Sequence, residues 1–461
     1  MINKNIKSIS LITFGNIFRL LVSVFISFVI PNLLGIIGYG YYKLFILYST
    51  YIGLTHLGFA DGIYLNFGGK DYNELNVGKF RAFSKFFFLI QLIIAFIGIS
   101  FGLLFVAGES KMLVLLLFLY MIPININNYY MIISQITSRF KEYSIRLILL
   151  SLFNVFIVSI MFFLNINDYR FYIVLVTVSN GLLTLWYFYT YRNISFGKRE
   201  SFKDVKHEIK NLFILGVPLL LSNLSTTFVL AVDKQIVNIL FPIEVFSIYA
   251  FAYSMLSMIT VVVSAISVVL YPSLKKVSFE VIRAKYQDLN SIVIFIVLIG
   301  LSGFYPLTYL IPRFLPDYTD SLVIFRVALP SLILTSSITA IKHNIYKIKN
   351  KNKVYFLFSI LAIIIIIGFN IASYSIFKTT QSIAFSTFLG IFIWYLINEF
   401  YLVKNYNLKW KKNILLILVG VCNYYLVTEL ITSLYGFFAY LLITIVIIAL
   451  FYSNKIMKLF K

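Results

Sequence analysis

Apolar runs of about 20 residues, separated by short polar or basic stretches, follow one another along nearly the whole chain. A run of that length suits a helix that crosses roughly 30 Å of hydrocarbon at about 1.5 Å per residue. Hydropathy places fourteen of them, centred roughly on residues 20, 50, 93, 124, 155, 180, 225, 258, 300, 330, 364, 391, 422 and 444. No stretch between them is long enough for a sizeable soluble domain. The pattern predicts an all-α polytopic membrane protein with about 14 transmembrane helices.

The basic residues sort sharply between the two sets of loops. Of 39 Lys and Arg, 31 fall on the side shared by both chain ends, and the opposite side holds only Lys111, Arg170, Arg313 and Lys378. An excess of cations marks cytoplasmic loops, so both termini are expected inside. The start of the chain, with Lys4 and Lys7 before a long apolar run, reads as an uncleaved first span. The longest polar connection, "RNISFGKRESFKDVKHEIK" from Arg192 to Lys210, follows the sixth span. It reads as a linker between two halves that carries a short amphipathic helix along the membrane face.

Spans 1 to 6 overlay spans 7 to 12 with a shift of 208 residues, which pairs Tyr41 with Tyr249. An even number of spans gives the halves the same orientation, as in parallel repeats. The expected organisation is one six-helix bundle over residues 1–206, a second over 207–402 facing it across a central cavity, and two added helices over 403–461.

Helices around a wet cavity should carry polar residues at three- to four-residue spacing. Span 1 has Asn16, Arg19, Ser23 and Ser27; span 4 has Asn127, Ser134 and Ser138; span 7 has Asn223, Thr227, Lys234 and Asn238. Span 8 has Tyr249, Tyr253, Ser257, Thr260, Ser264 and Ser267. Two readings of the small polar residues stand: a lumen lining, or hydrogen bonds between packed helices.

Four cations remain inside spans: Arg19, Lys43, Lys234 and Arg326. Arg19 lies about 16 Å from a helix start near Ser8, close to mid-bilayer, and Arg326 is roughly 9 Å in from Asp320. Lys43 and Lys234 lie near an interface, where their stems can carry the ammonium to water or lend it to the cavity. Among the acids only Asp233 is read as well inside a span; it serves either ion coupling or an ion pair. A cavity with more cations than acids favours an anion, and guanidinium has the paired donors that phosphate accepts. Pro123, Pro218 and Pro330 mark bends, with Pro218 either a hinge or a simple kink.

Composition agrees: 61% of residues are hydrophobic and only 12% charged, with a net charge of +22. The positive balance follows from topology and headgroup contact, and no nucleic-acid partner is expected. One cysteine and three histidines offer no disulfide or metal cluster. No metal site, cofactor or catalytic residue is expected, and short outer loops disfavour a membrane enzyme.

"PNLLGIIGYGYYKLF" and "THLGFADGI" after the first-span arginine, then "LGVPLLLSNLSTTFVLAVDKQIVNIL", "IYAFAYSM" and "LYPSLKK", resemble the Wzx-type oligosaccharide flippases over residues 8 to about 402. The resemblance implies the MATE-like fold of the MOP exporter superfamily. It also implies alternating-access flipping of an undecaprenyl-pyrophosphate-linked repeat unit across the bacterial cytoplasmic (inner) membrane, for O-antigen, capsule or exopolysaccharide assembly. A polysaccharide polymerase and a chain-length regulator are the expected partners beside the lipid-linked glycan and membrane lipid. By the resemblance, Arg19 matches the first-span arginine, and Asp233 with Lys234 matches the seventh-span Asp-Lys landmark. The alternative is a cation-coupled MATE-type multidrug exporter, which needs acidic lumen groups that are scarce here.

Overall fold

The computed structural model describes the backbone of residues 2–275, 277–431 and 433–459, and the side chains of 14–260, 274, 277–431 and 433–452. Lys4, Lys7, Ser264, Ser267, most of "LYPSLKK" and the C-terminal cations therefore have side chains outside the described set. The protein is all-helical, with no strand among the described residues.

The first compact unit runs from Met1 to Thr227. It holds α1 (Ile2–Ser49), α2 (Phe59–Phe67), α3 (Val77–Phe105), α4 (Gly108–Ile136), α5 (Phe140–Phe163), α6 (Tyr169–Thr190), α7 (Arg192–Ser195) and most of α8 (Phe202–Val229). The second unit runs from Phe228 to Lys461. It contains α9 (Val232–Leu240), α10 (Ile243–Lys275), α11 (Phe279–Gly300), α12 (Phe304–Phe314), α13 (Ser321–Ala328), α14 (Ser331–Ser337) and a π-turn (Ile338–Lys342). After these come α15 (His343–Ile348), α16 (Asn352–Phe377), α17 (Thr380–Tyr406), α18 (Lys411–Leu430) and α19 (Tyr435–Leu459).

Twelve described helices are long and apolar enough to cross a membrane, or thirteen when α13 and the helix Ser331–Ile348 count as one span bent by 45°. Pro330 stands at that bend, whereas Pro123 and Pro218 are carried inside continuous helices. The expected fourteenth span is absorbed into a 43-residue stretch, Phe14–His56. At about 1.5 Å per residue that stretch is roughly 65 Å long, enough for two crossings. It is interrupted at Gly35, whose φ of 66° is left-handed.

Sequence chemistry explains several helix ends. Asn76 accepts a hydrogen bond from the Lys79 amide at 3.1 Å, Asp168 from Arg170 at 2.8 Å and Thr379 from Ser382 at 3.2 Å, so α3, α6 and α17 start on side-chain caps. Asn407 follows α17 at φ 50°, a conformation asparagine tolerates.

In the first unit the glycines of "THLGFADGI" and "LGVP" meet. A Cβ on Gly216 would lie 1.8 Å from the Gly58 carbonyl oxygen, and one on Gly62 would lie 2.0 Å from that of Leu212. Backbone touches backbone there, a contact only glycine permits. Around it an aromatic core gathers Phe59, Phe83, Phe87, Tyr129, Tyr130, Tyr187 and Tyr191.

The expected linker is shorter and more fixed than its polarity suggests. It contains only the four-residue α7, and the helix anticipated along the membrane face is the beginning of α8 itself. Arg81 donates from Nε to the Asn193 carbonyl at 2.7 Å and from Nη1 to that of Lys198 at 2.9 Å. Lys79 pairs with Glu208 at 2.8 Å.

Candidate substrate-binding site

In the first unit, α1 packs on α5, and this brings Arg19 into electrostatic range of Arg146. Arg19 is exposed. Arg146 is 6% exposed and lies seven residues into α5, not in the loop where hydropathy alone placed it. Its Nη2 donates to Asn128 Oδ1 at 3.1 Å and its Nη1 to Met131 Sδ at 2.8 Å, while Nε finds no acceptor. The groups acting on it are the phenols of Tyr120, Tyr143 and Tyr187 together with Arg19. No carboxylate among the described residues forms an ion pair with either arginine. Arg146 thus keeps one donor unused within electrostatic reach of Arg19, an arrangement that can attract an anion. Asn16, half-buried on the same helix, lies one turn before Arg19.

Lys43 is half-buried farther along α1, with its ammonium 5.1 Å from the Tyr39 ring centroid and 5.3 Å from that of Tyr42. Tyr42 stands edge-on to Tyr172 of α6 at 5.1 Å. Phenol faces are a resting place for an ammonium that lacks a carboxylate.

Asn127 differs from its expected place on a lumen. It is fully buried between α4 and α6, donating to the Asn180 carbonyl at 3.0 Å and accepting from Thr184 Oγ1 at 3.0 Å. Ser134 is likewise buried, bonded to Tyr191 at 2.7 Å. Asn127 and Ser134 of the span 4 stripe thus serve helix-to-helix hydrogen bonding, whereas Ser138 is exposed beyond the end of α4.

In the second unit Asp233 is 1% exposed. Tyr249 donates to its Oδ2 at 2.8 Å and also reaches the Tyr253 hydroxyl at 3.2 Å. Lys234, adjacent in sequence, turns its Nζ to the Leu230 carbonyl, comes within 3.7 Å of Asp233 Oδ1 and lies 4.4 Å over the Tyr253 ring. The structure therefore joins Asp233, the acid read inside a span, with Lys234 of the span 7 stripe and Tyr249 and Tyr253 of the span 8 stripe. Ser257 and Thr260 bond to the carbonyls of Ser254 and Ser257 within α10, and Thr227 reaches the carbonyl of the exposed Asn223 at 3.4 Å.

Arg326 is corrected by the structure. It pairs with Glu429 of α18 at 2.5 Å and is 34% exposed, so it has a carboxylate counter-charge that the sequence reading did not assign. Glu429 lies in the added C-terminal helices, outside the repeat, and no periodicity linked the two. A second missed group is the fully buried ion pair of Lys342 and Glu399, 2.9 Å apart. The charge pattern alone puts both at cytoplasmic span ends, although "SITAIKHNIYKI" keeps an apolar face well past Lys342.

No protein-family model matches the chain, and no curated protein matches it. Solved structures do. The lipid II flippase MurJ in an inward closed conformation superposes with a TM-score of 0.68 at 14% identity, covering 99% of this chain and 100% of that one. An inward-facing MATE family multidrug resistance transporter of the MOP superfamily gives 0.63 at 14% identity, over 84% of this chain and 97% of that one. A MOP superfamily transporter from Pyrococcus furiosus, described as having a binding pocket of reverse polarity, gives 0.53 at 13% identity, over 86% and 94%. The chain has the fold shared by MurJ and the MATE transporters of the MOP superfamily.

Proposed function

We propose that this protein is a flippase that moves a polyprenyl-pyrophosphate-linked oligosaccharide across the bacterial cytoplasmic membrane by alternating access, with both chain ends in the cytoplasm. The observation that carries the reading is the pair Arg19 and Arg146, one exposed and one buried, with no carboxylate pairing with either among the described residues. A cation at membrane depth costs at least about 2.5 kcal/mol unless water or an opposite charge meets it. A pyrophosphate supplies that charge and accepts the paired donors of guanidinium. Lys43 and Lys234 add cations beside phenol rings, suited to sugar hydroxyls and ring faces. The glycan would pass to a polymerase and chain-length regulator for O-antigen, capsule or exopolysaccharide assembly. The whole-length likeness to the MurJ structure supports the lipid-linked cargo. The rival, a cation-coupled drug exporter, is favoured by the buried Asp233 and by the MATE likeness.

The test is made in a strain whose own flippase for a lipid-linked repeat unit is deleted. Wild type, Arg19→Ala and Arg146→Ala are compared for accumulation of the unit on each membrane face at equal protein levels. Outward movement by wild type and its loss in both variants is the expected result. Full transport by both variants refutes the anion site, and export of an organic cation by wild type with no movement of the glycan favours the rival.

A further inference from the structure

Arg146 has no carboxylate partner among the described residues, although two positions beside it are suited to supply one. The first is Asn128, which is half-buried on α4. It follows Asn127, and one step of about 100° round the helix turns it from α6 toward α5. There its Oδ1 accepts from Arg146 Nη2 at 3.1 Å, while Met131, one turn further along α4, takes Nη1 through Sδ at 2.8 Å. Aspartate has the shape of asparagine and would set a charged oxygen against the same donor. The amide aims the guanidinium, and its neutrality leaves the positive charge unanswered.

The second position is Glu142. It stands four residues before Arg146 on α5, the spacing and order at which a glutamate most readily meets a cation on one helix face. Glu142 is instead held by Arg139, whose Nε and Nη2 both donate to its Oε1, the former at 2.8 Å. Arg139 is fixed in turn: its guanidinium carbon lies 4.7 Å from the Tyr72 ring centroid and 4.8 Å from that of Tyr191. Tyr72 belongs to the short turn Tyr72–Glu74 and Tyr191 follows α6, so three segments hold the decoy in place. The strongest electrostatic neighbours of Arg146 are three phenols and Arg19.

We propose that Asn128 and Arg139 set the charge of the cargo. Asn128 aims Arg146 without neutralising it, and Arg139 withholds Glu142, so Arg146 is answered by an anion that the ligand brings. Both are positioning residues, and neither has to touch that anion. The identity of the anion as a pyrophosphate rests on the flippase reading, whereas the control of charge at Arg146 does not. Selectivity of this kind is a difference between affinities. With a carboxylate at position 128, or with Glu142 released, an incoming anion meets a closed pair and a negative oxygen beside it.

The experiment measures binding of radiolabelled geranylgeranyl pyrophosphate to the purified full-length protein, with thermal unfolding of each variant recorded beside it. Asn128→Asp should bind at least about tenfold more weakly, while melting at or above the wild-type temperature because the buried guanidinium gains a partner. A side chain with a purely structural role would lose binding and stability together. Arg139→Gln should also weaken binding, and adding Glu142→Gln should restore it, since that acid can then no longer close on Arg146. Binding by Asn128→Asp within about twofold of wild type, or a fall in its binding matched by a fall in melting temperature, overturns the proposal. So does a loss in Arg139→Gln that the second substitution does not recover, and this pair carries the test where Asn128→Asp does not fold. Absence of binding by wild type overturns the flippase reading. Asn128→Asp melting above wild type then leaves the charge control standing, and melting below it overturns that as well.

Discussion

Substituting Gly216 by alanine tests the packing of α2 on α8 directly. The new methyl would lie 1.8 Å from the Gly58 carbonyl oxygen and 2.5 Å from the Gly62 amide nitrogen. Both are backbone atoms, so no rotamer change relieves the overlap. Restoring an ordinary 3.4 Å contact requires the two helices to part by about 1.6 Å. The gap would run beneath Phe59 and Phe213, whose rings are 5.4 Å apart across the same pair of helices. Overpacking of this kind costs about 1–3 kcal/mol, and the rigid neighbours place Gly216→Ala at the upper end, roughly a 150-fold shift in the unfolding equilibrium. Gly368 in α16 is the control, since nothing lies within 4 Å of its Cβ position; alanine there should stabilise by about 0.5–1 kcal/mol. Thermal unfolding of the detergent-purified variants, followed by the surviving monomer peak in size exclusion, reads both. A Gly216→Ala protein that melts with or above wild type refutes the close contact.

Other substitutions separate packing from binding. Asn127→Ala, which breaks the bonds to α6, should destabilise by about 0.6–1.7 kcal/mol and leave transport per folded molecule unchanged; a selective transport defect at normal melting temperature would return Asn127 to a lumen. Arg326→Ala should alter stability by no more than about 1 kcal/mol, because its pair with Glu429 is partly exposed, and a transport assay should find it active. Arg146→Lys keeps charge but loses the fork of donors, so transport should fall well below wild type at equal expression, and equal rates would show that charge alone matters. Tyr249→Phe removes the 2.8 Å bond to Asp233 and leaves a buried carboxylate short of a donor, a loss of about 1–3 kcal/mol visible in the melting temperature.

Much of the helical architecture is legible from apolar run length alone, because a lipid-facing segment must be apolar over a fixed distance whatever it packs against. The ends of helices are less so. "FKEYSIRLILL" is helical from Phe140, so Arg146, which the sorting of basic residues counts with a loop, is a buried residue of α5. The same error hid Lys342. Charged residues at a span end tell equally of a loop or of a pair formed within the fold, and the deciding partner is remote: Glu399 is 113 residues from Tyr286, and Glu429 is 103 from Arg326. Asn127 shows the opposite failure, where polar spacing was visible but the direction it faced was set by Asn180 and Thr184 on another helix.

The clamp on the connecting segment bears on the order in which the chain assembles. Every group that fixes the segment, from Asn76, Lys79 and Arg81 to Asn193, Lys198, Glu200 and Glu208, precedes the second unit in sequence. Chains emerge from the ribosome N-terminus first and their units settle as they appear. The connector can therefore be fastened to α3 before α10 has been made, and the later helices insert after a fixed anchor instead of a free tether.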